Sequence, residues 1–185
     1  TGHGVQKGNG LENYSHNATI GDIDGDGDID IVVPSNRWVG HNGEILCYVN
    51  QGDGHMVVRR CGDQFGFEVE LGDIDNDGDL DIVSGGGSFN NSIAEWGFYN
   101  PDPQRAFHGI LLNDGTGNFY ERGFEFPEHK NSNGFWYSTV PNISVSDLDA
   151  DGDLDVIVML VGVDYGGAAM GIEENIGNGQ FRTAL

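Results

Sequence analysis

Three nine-residue windows of this chain carry five aspartates each. They are Asp22, Asp24, Asp26, Asp28 and Asp30; Asp73, Asp75, Asp77, Asp79 and Asp81; and Asp147, Asp149, Asp151, Asp153 and Asp155. Together they hold 15 of the 30 acidic residues in 185. Five like charges in nine residues repel one another unless a cation sits among them. Acidic tails relieve such repulsion by staying extended and solvated. These windows cannot, because each runs straight into an apolar, largely β-branched segment, at 29–33, 80–83 and 154–160. Any fold of this chain must hold three dense clusters of negative charge next to three buried strands.

The spacing explains how. Each window reads D-x-D-x-D-G-D-x-D. A hard cation such as Ca²⁺ takes six to eight oxygens, and alternate residues of a tight loop can turn their carboxylates inward. Glycine at position 6 (Gly27, Gly78, Gly152) permits the sharp turn. Side-chain ligation is expected at positions 1, 3, 5 and 9: Asp22, Asp24, Asp26 and Asp30; Asp73, Asp75, Asp77 and Asp81; Asp147, Asp149, Asp151 and Asp155. Position 7 (Asp28, Asp79, Asp153) would ligate through its backbone oxygen. Three Ca²⁺ ions are therefore expected. Mg²⁺ prefers retained waters and stricter octahedral geometry, and zinc would want Cys or His in the loops. An EF-hand needs glutamate at position 12, where Val33, Ser84 and Val158 stand, and flanking helices, where the sequence is β-branched.

The net charge of −22 excludes nucleic acid as a partner, since phosphate binding needs clustered Lys and Arg. No run approaches 18 apolar residues, so no membrane insertion is expected. With 37% hydrophobic residues the chain can still build a core.

The loops belong to a longer repeat. Each is preceded by a short apolar step and followed by a strand, a Gly-rich stretch and a hairpin with an Asn-x-Gly-x-Gly turn, beginning at Asn50, Asn113 and Asn175. First loop aspartate to turn asparagine spans 28 residues in the first and third repeats and 40 in the second, which places a 12-residue insertion at about 85–109. The divisions are an arm or leading strand over 1–18, repeat 1 over 19–61, repeat 2 over 62–122, and a long connection (123–143) with repeat 3 over 123–185. Each repeat offers about four strands and no convincing helix, so the fold class is all-β.

The segments GDIDGDGDIDIVV (21–33), GDIDNDGDLDIV (72–83) and SDLDADGDLDVIV (146–158), with their asparagine turns, resemble the FG-GAP/VCBS-type repeats of integrin-alpha-like β-propellers. The resemblance implies three four-stranded propeller-like blades with calcium between the first two strands of each, in a protein acting outside cells. Propellers usually close with four to eight blades; three leave an open arc, or part of a propeller completed by other subunits. Exposed blade faces favour self-association. The chain would be a fragment of a longer propeller, half of a six-bladed ring, or the unit of a filament.

Cys47 and Cys61 flank the first hairpin turn, and a local disulfide between them is expected. Simple hairpin register puts Cys47 near Val58, so the bond needs a bulge or a curled strand end; the alternative is two buried thiols. Sequons place candidate glycosylation at Asn17, Asn90 and Asn142. Disulfide, sequons and calcium loops together suggest an extracellular protein, secreted or on the cell surface. The start at Thr1 without a signal peptide fits a processed or excised chain.

No catalytic constellation is visible, and the chain is not expected to be an enzyme. The paired carboxylates are committed to metal, and the six histidines show no relay spacing. The functional expectation is a calcium-stabilised structural or adhesive glycoprotein subunit that self-associates. One alternative is a lectin-like module whose loop aromatics Trp38, Trp96, Tyr99, Trp136 and Tyr137 stack on glycans; the plainer reading has them cover blade faces. Another is a non-catalytic fragment of a polysaccharide-active enzyme.

Overall fold

A computed structural model describes residues 13–37, 44–63, 66–86, 109–121, 137–162 and 168–184. The described residues form thirteen strands and no helix. Three antiparallel four-stranded sheets follow one another along the chain, each a simple up-and-down meander, and they do not close into a ring.

The first blade contains β2 (Thr19–Gly21), β3 (Asp30–Arg37), β4 (Glu44–Asn50) and β5 (Met56–Gly62). A short β1 (Asn13–Tyr14) from the leading segment pairs with the far end of β3, Asn13 opposite Arg37. The second blade is β6 (Glu68–Gly72), β7 (Asp81–Gly85), β8 (Gly109–Asn113) and β9 (Phe119–Glu121). The third is β10 (Tyr137–Ser146), β11 (Asp155–Gly162), β12 (Ala168–Asn175) and β13 (Phe181–Thr183). Residues 87–108, most of the expected insertion, lie outside the described residues, as do Asn90, Trp38, Trp96, Tyr99 and Trp136. The long connection is shorter than the spacing implied, because β10 already begins at Tyr137. Its first half is irregular, with register shifts on either side of Thr139 near Pro141, which has no N–H to give the ladder.

Each hairpin turn closes the same way: the residue after the asparagine donates its N–H four residues on, Gln51 to His55 O, Asp114 to Asn118 O and Ile176 to Gln180 O. In the first hairpin Cys47 faces Arg59, and the register slips between Ile45 and Leu46. That slip leaves Cys61 as the extra residue on β5, and a disulfide joins it to Cys47 with Cα atoms 5.9 Å apart.

The core lies between blades. Ile23, Val32, Ile45, Cys47 and Val49 of the first pack on Val69, Ile82 and Leu111 of the second. Ile74, Val83, Ile110 and Leu112 of the second pack on Ile143, Val156, Val158 and Leu160 of the third. The middle blade is thus covered on both sides, and every residue of β7 and β8 is buried. In β4 buried and half-buried residues alternate strictly, and β12 alternates likewise from Gly171 onward. The sequence period of two survives only where one sheet face lacks a neighbour.

Candidate metal centres

Each acidic window is the loop between the first two strands of its blade. The strands pair at its base, Gly21 with Asp30, Gly72 with Asp81 and Ser146 with Asp155. The loop backbone turns through left-handed conformations at position 4 (Gly25, Asn76, Ala150) and at position 6, where Gly27, Gly78 and Gly152 have φ of 91°, 98° and 101°. Position 6 meets the requirement read from the sequence.

Three carboxylates of each loop converge. Asp22, Asp24 and Asp30 bring one oxygen each within 4.8 Å of one another, and so do Asp73, Asp75 and Asp81, and Asp147, Asp149 and Asp155. These are positions 1, 3 and 9. Position 5 is not drawn into these groups: Asp26, Asp77 and Asp151 accept the N–H of position 7 at 2.9, 3.0 and 2.9 Å. Asp28, Asp79 and Asp153, expected to offer backbone oxygens, supply those N–H groups.

The backbone holds the converging carboxylates in place. Asp22 accepts from the amides of Gly25, Asp26 and Gly27; Asp73 accepts from those of Asp77 and Gly78. Position 9 is almost fully buried and ties three elements together. Asp30, Asp81 and Asp155 each accept the N–H of position 2 (Ile23, Ile74, Leu148) at 2.8–3.0 Å. Each also accepts the N–H of the turn asparagine (Asn50, Asn113, Asn175) at 2.8–2.9 Å.

Carboxylates outnumber cations at these sites: Arg59 acts on Asp24 and Arg182 on Asp149, each against several acids. Burial, with Asp26 and Asp30 nearby, pushes the Asp24 carboxyl above its ordinary value against a smaller opposing pull from Arg59. Asp81 is pushed up to about 6, chiefly by burial and in part by Asp75 and Asp77, against the hydrogen bonds it accepts from Asn113 and Ile74. Asp149 is raised by desolvation and by Asp151 and Asp155. A buried Asp24 oxygen, Oδ1, also lacks a hydrogen-bond donor. An all-oxygen donor set on a turn with an orphaned buried carboxylate oxygen fits a hard divalent cation and does not suit zinc.

The sequence did not reveal what the turn asparagines do beyond the turn. Their Oδ1 atoms accept from the turn glycines, as in Asn113 with Gly115 and Gly117. Their amides reach across blades: Asn113 Nδ2 donates to Ile23 O at 2.8 Å, and Asn175 Nδ2 to Ile74 O at 2.9 Å. Asn113 and Asn175 therefore join their own blades to the acidic loop of the blade before. The signal lay in the asparagine heading all three turns, even where the following residues differ. Asn17 is a second case. Its amide pairs with the backbone of Val69 in both directions, at 2.9 and 3.0 Å, and so clamps β6 to the first blade. Asn142 is exposed.

Residues 22–84 match the FG-GAP-like repeat family, from the first aspartate of the first loop to Ser84 in β7. The match takes in two of the three loops; the third repeats their geometry outside it. No curated protein matches the chain at a significant level.

Proposed function

We propose that this chain, an FG-GAP-type repeat protein, is a calcium-stabilised β-repeat subunit that acts outside the cell as a structural or adhesive element and associates with copies of itself. The observation that carries the reading is the threefold recurrence of a three-carboxylate group at one place in three successive blades. Asp22, Asp24 and Asp30, with their counterparts in the other loops, would hold the ion, and the bound ion would supply charge neutralisation that locks each loop onto its strands. Three ions would take the formal charge from −22 to −16. A scaffold role rather than catalysis is supported by how the carboxylates are used, bonded to loop amides and facing one another.

FG-GAP-type repeats are typically extracellular. The Cys47–Cys61 disulfide is compatible with that setting, and no helix among the described residues is long and apolar enough to cross a membrane. Of the sequons, exposed Asn142 is the better-supported sugar site, because Asn17 spends its amide on Val69.

Calcium removal tests the reading. At millimolar calcium and a Kd of ~10⁻⁴ M, each site contributes about 1.4 kcal/mol, or roughly 4 kcal/mol for three. The melting temperature should fall clearly in EDTA and return with Ca²⁺ but not with equal Mg²⁺. A melting curve indifferent to EDTA would remove the metal from the account.

A further inference from the structure

We propose that the free face of the third blade receives the free face of the first blade of a second copy, repeating between chains the contact that successive blades make within one. This rests on the self-association proposed above and specifies its surfaces and direction.

The internal contact occurs twice with the same parts. The turn asparagine of the following blade donates to the position-2 carbonyl of the preceding loop, Asn113 to Ile23 O and Asn175 to Ile74 O. The position-2 side chain is thereby covered, leaving Ile23 1% and Ile74 0% exposed. The position-8 leucine of the following blade seats on the glycine before the preceding loop. A Cβ on Gly21 would come 2.6 Å from Leu80 Cδ1, and one on Gly72 2.9 Å from Leu154 Cδ1. Neighbouring loops also touch, Asn76 donating to Asp153.

The two ends of the chain carry the separate halves of this contact. On the third blade Leu148, at position 2, is 47% exposed, and Met159 and Met170 of the same face are exposed with it. On the first blade Ile29, at position 8, is 52% exposed, beside Ile20 at 67% and Val58. Among the described residues Asn50 Nδ2 donates only to Ile29 O, within its own loop. Asn113 and Asn175 make that same local bond, to Leu80 O and Leu154 O, and the cross-blade bond as well. Among the described residues Asn50 thus lacks the position-2 acceptor that Asn113 and Asn175 have, and Leu148 holds that position on the third blade. Such a contact joins unlike surfaces, so it gives a ring if the rotation closes and a filament if it does not. It sets two acidic loops side by side and therefore requires calcium. One part departs from the rule: Ser146 stands where the internal contacts have glycine. Asn142 pairs with Met159, on the same face, so a sugar there would cap this end.

The test measures mass by sedimentation and light scattering in calcium, on the full chain carrying Asn142→Gln. This parent should assemble, to twice its mass for a closed ring or to a growing series for a filament. Leu148→Lys and Ile29→Lys each leave one intact end, and each alone should be monomeric. Their equimolar mixture should form a dimer and stop there. Ser146→Gly should tighten assembly several-fold. The substituted side chains are exposed, and circular dichroism reports the fold; Met170→Lys and Ile20→Lys replace either variant that misfolds. A monomeric parent, single variants that assemble like the parent, or a mixture that stays monomeric while the parent assembles would each overturn the inference. Melting with and without calcium is read on the same samples. A calcium-dependent melt in a monomeric parent keeps the metal sites and discards the interface.

Discussion

Ala150 holds a left-handed backbone, φ 63°, at the position where the first loop has Gly25 and the second Asn76. A Cβ in that region costs of order 1 kcal/mol, and neither glycine's freedom nor asparagine's local hydrogen bonding relieves it here. Ala150→Gly should therefore stabilise the folded protein by up to about 0.5 kcal/mol, the strain relieved less the added freedom of the unfolded chain. Urea denaturation in calcium measures it; a loss of stability would show that the third loop does not need this conformation. At this scale the sequence was most legible in the convergence of positions 1, 3 and 9 and the turn at position 6, because side-chain spacing and turn sterics are local. It also assigned position 5 to the ion; Asp26 lies outside the converging group and accepts the amide of Asp28, a choice set by a loop conformation that spacing alone does not fix. It also could not show Asn17 as a clamp, since the partner, Val69, is 52 residues away.

Between elements, the asparagine turn couples more than it shapes. Asn113 is 1% exposed and serves Ile23 O, Leu80 O, Gly115 and Gly117 together. Removing it leaves several buried backbone groups unpaired, so Asn113→Ala should cost about 2–4 kcal/mol. Asn50→Ala, whose Nδ2 makes only the local bond to Ile29 O among the described residues, should cost clearly less. Equal losses in chemical denaturation would mean that the turn, not the link between blades, carries the effect. The strand sets were readable from alternation and turn spacing, but the start of β10 was not. Pro141 and two register shifts break its period, and such a segment looks like a connection until its partner strand is known.

For the molecule as a whole, buried carboxylates set the response to pH. Burial raises Glu68 and Glu70, and Asp81 stands at about 6. A carboxyl raised on folding binds its proton more tightly in the folded state, so its contribution favours folding at low pH and is lost as pH climbs. Protein dialysed free of calcium should thus lose stability between about pH 4 and pH 6. Asp114, lowered to about 2 by hydrogen bonds from Thr116 and Asn118, acts only below that window. With calcium the slope should reverse, because protons compete with the metal for the same oxygens. Melting temperatures at pH 4.5 and 6.5, with and without calcium, decide it; parallel slopes would contradict the placing of metal on these carboxylates. The three sheets were legible as a blade count, but which strands are covered on both faces and which on one needed the burial of β4, β7, β8 and β12.

The disulfide has a mechanical consequence. It joins β4 and β5 on the side of the hairpin away from the turn, and it encloses that turn. A tension applied through the chain unzips an antiparallel hairpin from its open end, one rung at a time. Here the unzipping meets a covalent bond after its first rungs. The 14-residue span behind the bond is withheld from extension, shortening the slack that blade 1 can release by about 45 Å. If copies join end to end, the blade presenting Ile29 to its neighbour is also the one least able to pay out length under load.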